Sequence, residues 1–138
     1  MFKTDVVCIN FDYIHDRGER YSLLYALLEG ISRFLEIERT DIDGCAQTVY
    51  NNGKYETSVI IFDNVPGGAG HVSRIAGFST EQFKKVLGAA YDVVAECTCG
   101  GKTGDAACYN CLCNYSNQFI HPLLNRQKAI NFLSNLKL

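Results

Sequence analysis

The sequence predicts an α+β domain in which a small antiparallel or mixed sheet packs with helices and a four-cysteine insert lies near the C-terminus. Three observations carry this expectation. Two β-rich runs meet at Asn52-Gly53, a dipeptide that accepts the positive φ values of a tight hairpin. Two long segments repeat apolar residues at the spacing of a buried helical stripe. Five of the seven cysteines fall between positions 97 and 113. The 138 residues suit one domain, 1–138, and at this size a core forms without covalent staples.

In chain order, TDVVCINF (4–11) is a short β-branched run and predicts a strand. RYSLLYALLEGISRFLEIE (20–38) places Leu24, Leu27, Leu28, Ile31, Phe34 and Leu35 on one helical face. TDIDGCAQTVY leads into Asn51-Asn52-Gly53, and KYETSVIIFDN follows it. That second run alternates and then turns continuously apolar, as a central strand does. A glycine-rich turn, VPGGAGH, comes next. STEQFKKVLGAAYDVVAE (79–96) opens with Ser79 and Gln82 in capping-box spacing and carries Phe83, Val86, Leu87, Ala90 and Val94 as a stripe. After the cysteines, Pro122 suits the first turn of a closing helix that buries Ile130, Leu133 and Leu136. No internal repeat or low-complexity segment interrupts this order.

Composition excludes several classes. Apolar residues make up 47% of the chain, and only two prolines occur, which is ordinary for a folded domain. A net charge of −2 without lysine or arginine runs argues against a self-sufficient nucleic-acid binder, and the isolated domain is expected to bind DNA only weakly. The apolar runs are far too short to span a membrane, and MFKTDVVCINF does not read as a secretory signal. The expected compartment is the reducing cytoplasm, where clustered thiols hold metals more often than they pair as disulfides.

Cys97 and Cys99 form C-x-C, and Cys108 and Cys111 form C-x-x-C across a loop containing Gly100, Gly101 and Gly104. Two short-spaced pairs joined by a turning backbone bring four sulfurs to the corners of a tetrahedron around one zinc ion. Such a site is closed and structural. Four thiolates on zinc leave excess negative charge, for which Lys102 is a candidate cation. Disulfides, an iron–sulfur cluster and a reactive thiol are the rivals; the odd cysteine count, the compartment and the absence of a ferredoxin spacing count against them. Cys113 makes a second C-x-C with Cys111 and competes as fourth ligand; Cys108 is preferred because Cys111 and Cys113 are expected to face different ways at a helix start. Cys8 and Cys45 sit in strand-like segments and read as buried structural thiols.

The second constellation runs from Asp63 through Gly67, Gly68 and Gly70 to His71. Backbone N–H groups in such a strand–turn–helix can cradle an anion or touch a partner, although neither the P-loop nor the dinucleotide fingerprint is present. At least one of these glycines is expected at positive φ. Asp63 reads more readily as a cap for the turn than as an acid. His71 and His121 have no carboxylate or cysteine at catalytic spacing and read as structural. Around the zinc loop, Tyr109, Tyr115 and Arg126 are candidates for nucleic-acid contact, with core packing the commoner role for the tyrosines.

The order FDNVPGGAGH, C-x-C, C-x-x-C-L and NYSNQFIHPLLNR resembles the MrfA-type zinc-binding (MZB) domain, found at the C-terminus of mitomycin repair factor A helicases and in DrmB-like proteins of the DISARM anti-phage system. The resemblance runs from SLLYALLEGISRFLEI to RQKAINFL, and the wording of the glycine turn lies nearer the DrmB-like branch. It implies one structural zinc on Cys97, Cys99, Cys108 and Cys111, with Cys113 outside the set. It also implies an accessory, non-catalytic role beside an ATP-dependent superfamily 2 helicase in DNA repair or phage defence. The expected partners are a helicase motor domain or subunit, and DNA through the full assembly, with no membrane contact. No Walker A sequence occurs, so the chain is expected to be a fragment of a longer protein or a stand-alone homologue. The competing expectation is an enzyme acting on a phosphorylated or nucleic-acid substrate at the Asp63/PGGAG/His71 turn.

Overall fold

The computed structural model describes residues 6–64, 70–97, 99, 107–108 and 111–136, apart from the side chains of Tyr115 and Ser116. Three antiparallel strands, β1 (Val6–Asp12), β2 (Ile42–Asn51) and β3 (Lys54–Asp63), form a sheet in the order β1-β3-β2. The expected central strand is therefore β3. Asn52 and Gly53 make the two-residue turn with φ of 50° and 84°, the doubly left-handed conformation whose twist matches antiparallel strands.

Alternation assigns the two faces of the sheet. Thr57, Val59, Ile61 and Asp63 of β3 point toward the helices and are buried. On the opposite face the register sets Cys8 and Cys45 on either side of Ile60. Both thiols are exposed, which corrects their expected burial. The described helices pack on one face only, and a period of two sends positions 8 and 45 to the other.

Helix α1 (Arg17–Leu35) crosses the covered face. Asp16 caps it by accepting from the Gly18 N–H at 3.1 Å and also pairs with Lys128. The helix ends at Leu35, the last residue of its apolar stripe and short of the 20–38 segment, because Glu36 turns left-handed at φ 57° and sends its N–H back to the Arg33 carbonyl. Leu23 through Leu28 are all buried, so the helix is enclosed rather than amphipathic.

Helix α2 (His71–Ala76) and helix α3 (Thr80–Glu96) follow. The Ser79–Gln82 capping box forms as expected, with reciprocal bonds of 3.2 and 3.0 Å. Val86, Leu87, Ala90 and Val94 are buried against α1, and Phe83 is half-buried. The two helices touch backbone to backbone at Gly30, where an added Cβ would lie 2.6 Å from the Ala90 nitrogen.

The closing segment corrects the Pro122 expectation. Pro122 lies inside a 3-10 helix spanning Tyr115–Leu123, and helix α4 (Arg126–Asn135) begins after it. Asn125 supplies the cap, accepting from the Lys128 N–H at 3.1 Å, which proline cannot do. Helix α4 buries Arg126, Ala129 and Leu133; Ile130 is half-buried, and Leu136 is half-buried just past its end. None of the described helices is long and apolar enough to cross a membrane.

Candidate metal centre

The cysteine pairs stand where regular structure stops. Helix α3 ends at Glu96, and Cys97 leaves it in an extended conformation, φ −74° and ψ 143°. The second pair is shaped by a tight turn in which the Cys108 carbonyl accepts from the N–H groups of Cys111 at 3.1 Å and Cys113 at 2.9 Å. The Cys108 N–H in turn points at the Cys111 sulfur, 3.4 Å away.

Together these turns bring the Sγ atoms of Cys97, Cys99, Cys108 and Cys111 within 4.8 Å of one another. Cys97 lies 3.5 Å from Cys108, and Cys99 lies 3.7 Å from Cys111. Four sulfurs at about 2.3 Å from a tetrahedral zinc ion are about 3.8 Å apart, so the observed spacing fits a single ion. All seven cysteines are free, and the sulfur separations far exceed a disulfide bond. Cys111 is fully buried while the other three are half-buried; Cys113 packs into the core outside the group.

Without a cation, such a cluster resists full ionisation. Burial opposes ionisation of Cys97, but the Cys99 N–H and the thiols of Cys108, Cys99 and Cys111 bring it down to about 7. Burial, reinforced by neighbouring sulfur, pushes Cys99 and Cys111 up. A divalent ion held by the four sulfurs would remove this obstacle to ionising the buried thiols.

Arg126 lies inward. Among the described residues its side chain donates from Nη1 to the Val94 carbonyl at 2.9 Å and from Nη2 and Nε to the Cys99 carbonyl at 3.0 and 3.2 Å. Val94 sits in the last turn of α3, where carbonyls lack helical partners, so the guanidinium caps that helix and grips the backbone of a cluster cysteine. At 6% exposure Arg126 is not a surface contact for nucleic acid, which corrects the expectation drawn from its place near the zinc loop. Its positive charge therefore lies on the backbone of a cluster cysteine; Lys102, the candidate cation, lies outside the described residues.

A second buried network supports the C-x-x-C side. Asn114 and Asn117 form a reciprocal capping box of 2.8 and 3.1 Å, and Asn117 Nδ2 donates to the Leu112 carbonyl at 2.9 Å. His121 Nε2 donates into the same network, 2.7 Å from Asn117 Oδ1 and 3.0 Å from the Asn114 carbonyl. This is the structural role expected of His121. The Asn-x-x-Asn spacing was the available sequence signal for the network; Arg126 had none.

The glycine turn is placed in part. Gly70 has φ 80° and caps α2, meeting the expectation of a positive φ; Gly67, Gly68 and Tyr109 lie outside the described residues. Asp63 is buried, and its Oδ1 accepts from the Val72 N–H at 3.3 Å, which is the capping role. His71 Nε2 lies 3.8 Å from Asp41 Oδ2, a carboxylate partner hidden from sequence by thirty positions.

Fold and cluster define a small zinc-binding module whose closed four-sulfur centre ties the end of one helix to the segment leading into another. The family model of the MrfA Zn-binding domain, MZB, matches residues 23–112, and the chain belongs to that family. Among solved structures, the DUF1998 helicase MrfA bound to DNA shares the fold, with a TM-score of 0.55 over 88% of this chain at 18% identity. The chain spans 15% of that helicase's length. No curated protein sequence matches it.

Proposed function

We propose that this chain is a zinc-stabilised, non-catalytic accessory domain of a helicase-associated DNA-processing protein, acting in DNA repair or anti-phage defence, in the cytoplasm, through a motor domain, a partner subunit or DNA. The observation that carries the reading is the closed cluster of Cys97, Cys99, Cys108 and Cys111 in a chain of the MZB family. Zinc bound by four thiolates has no open position, so it supplies cross-linking rather than Lewis-acid chemistry. Cys97 and Cys99 would hold it from the α3 side, and Cys108 and Cys111 from the opposing turn. Supporting a DNA-processing context, the solved relative of the same fold is a helicase bound to DNA. The rival enzymatic reading at the glycine turn is weakened because Asp63 already serves the α2 backbone.

Elemental analysis of the native protein is expected to give about one zinc per chain, lost on Cys108→Ser together with cooperative unfolding of the C-terminal half. Purification of the full-length native protein is expected to bring a helicase motor with it unless the motor is fused. Iron with a visible chromophore, or a metal-free folded protein, would refute the zinc reading. A full-length protein with neither a fused nor a bound motor would refute the helicase reading.

A further inference from the structure

We propose that a tyrosine strip at the hairpin end of the sheet is a stacking surface for unpaired nucleic acid, a proposal that rests on the chain serving a DNA-processing helicase. Tyr50 and Tyr55 are register partners next to the Asn52-Gly53 turn, and Tyr13 follows directly on β1, so the three rings run across the sheet. Tyr50 and Tyr55 are 5.1 Å apart between ring centroids, Tyr55 and Tyr13 are 6.2 Å apart, and His15 extends the row 5.4 Å from Tyr13. The tyrosines are 67%, 61% and 46% exposed.

This exposure is built in. Thr57 is buried one register step from Tyr55, and its hydroxyl accepts from the Ile14 N–H at 2.9 Å. That bond fixes the turn after β1 with Ile14 inward and Tyr13 outward. The rings meet edge-on or tilted, which leaves aromatic faces open to a stacking partner. Because they already order one another, a base arriving on the row finds little side-chain freedom left to remove.

The charges around the strip select the partner. Arg20 donates to the Thr48 hydroxyl at 3.1 Å, one step inward from Tyr50 on the same face. Arg17 lies one helical turn before it, over the Tyr21 ring, and Lys54 borders the turn. Among the described residues none of these three cations is in an ion pair. Of the nearby carboxylates, Asp16 is engaged with Lys128 and the helix cap and Glu56 with the Asn51 amide at 3.2 Å, while Asp12 and Glu19 leave some negative charge beside the strip. Aromatic faces beside unpaired cations match a strand of stacked bases on a phosphate backbone. A duplex hides its base faces and offers the rings nothing. With net charge −2 the chain lacks the field for tight electrostatic binding, so stacking supplies the preference and salt weakens it only shallowly.

The test is fluorescence anisotropy of labelled oligothymidine, about twenty nucleotides long, with the zinc-loaded chain at low salt, beside a duplex of equal length. Tyr50→Ala/Tyr55→Ala is expected to weaken oligothymidine binding at least ten-fold, leave zinc content and melting temperature unchanged, and leave duplex binding as weak as before. Tyr50→Phe/Tyr55→Phe keeps the rings and is expected to retain binding. Arg17→Gln/Arg20→Gln is expected to weaken it several-fold. Unchanged oligothymidine binding by the double alanine variant overturns the proposal, as does equal loss for duplex. If that variant instead loses a copurifying subunit while its DNA binding is intact, the strip is a protein contact and the proposal also falls. Zinc content and motor association, measured separately, report on the accessory-domain reading whichever way the strip behaves.

Discussion

Replacing Arg126 by methionine removes a buried cation while keeping much of its volume, and the structure sets the size of the effect. Among the described residues three N–H···O bonds are lost, two of them to the Cys99 carbonyl, so the acceptors at Val94 and Cys99 both lose this donor. A buried group deprived of its partner costs about 1–3 kcal/mol, which places the loss of folding stability at about 2–6 kcal/mol. Losing a positive charge bonded to a cluster residue also raises the energy of the thiolate set, and removal of a group supporting a metal ligand weakens affinity about 10–100-fold. Arg126→Lys keeps the charge without the fork that reaches two carbonyls at once, so an intermediate result is expected. The assays are competition of the folded protein against a chromogenic chelator and thermal unfolding of the zinc-loaded form. Zinc affinity for Arg126→Met within two-fold of the parent would refute the argument, since the guanidinium would then be a helix cap and nothing more.

Other expectations follow from local geometry. Gly30→Ala drives a methyl into the Ala90 backbone and is expected to cost about 1–3 kcal/mol, read as a lowered melting temperature with zinc content intact. Gly70→Val strains a residue at φ 80° by about 2 kcal/mol and is likewise expected to leave zinc in place. Zinc retention, followed with a chelator across a pH series, is expected to fall as pH drops: burial lifts the Cys99 and Cys111 thiols, so protons held more tightly displace the metal as their concentration rises. Cys113→Ser is expected to retain zinc, whereas Cys108→Ser loses it, the contrast being read by elemental analysis.

Local signals were the ones that could be read in advance. Asn52-Gly53 determined the hairpin, Ser79 and Gln82 the start of α3, and the cysteine spacings the cluster, because each is a short-range rule the backbone obeys wherever it sits. Several further features depended on layers that only the fold assembles. Alternation shows that Cys8 and Cys45 share a face with Ile60, but not which face the helices cover. Arg126 reaches carbonyls 27 and 32 positions away, and no spacing pattern announces such a bond. Pro122 was compatible with a first helical turn, yet Asn125 offered a side-chain acceptor and took the cap. Helix α1 began early for a similar reason, since Asp16 caps it ahead of the apolar stripe.

The enclosure of α1 bears on how the molecule opens. Its neighbours include β2, β3, α3 and α4, so its amides reach water only when several of these separate at once. Hydrogen exchange along Leu23–Ile31 then reports the opening of the whole structure rather than fraying of one part. Because Arg126 of α4 joins the end of α3 to Cys99, both helices covering α1 are tied to the cluster. Stripping the metal should therefore quicken exchange in α1, far in sequence from the four cluster cysteines, and the rate of that exchange becomes a gauge of how completely the four sulfurs are loaded.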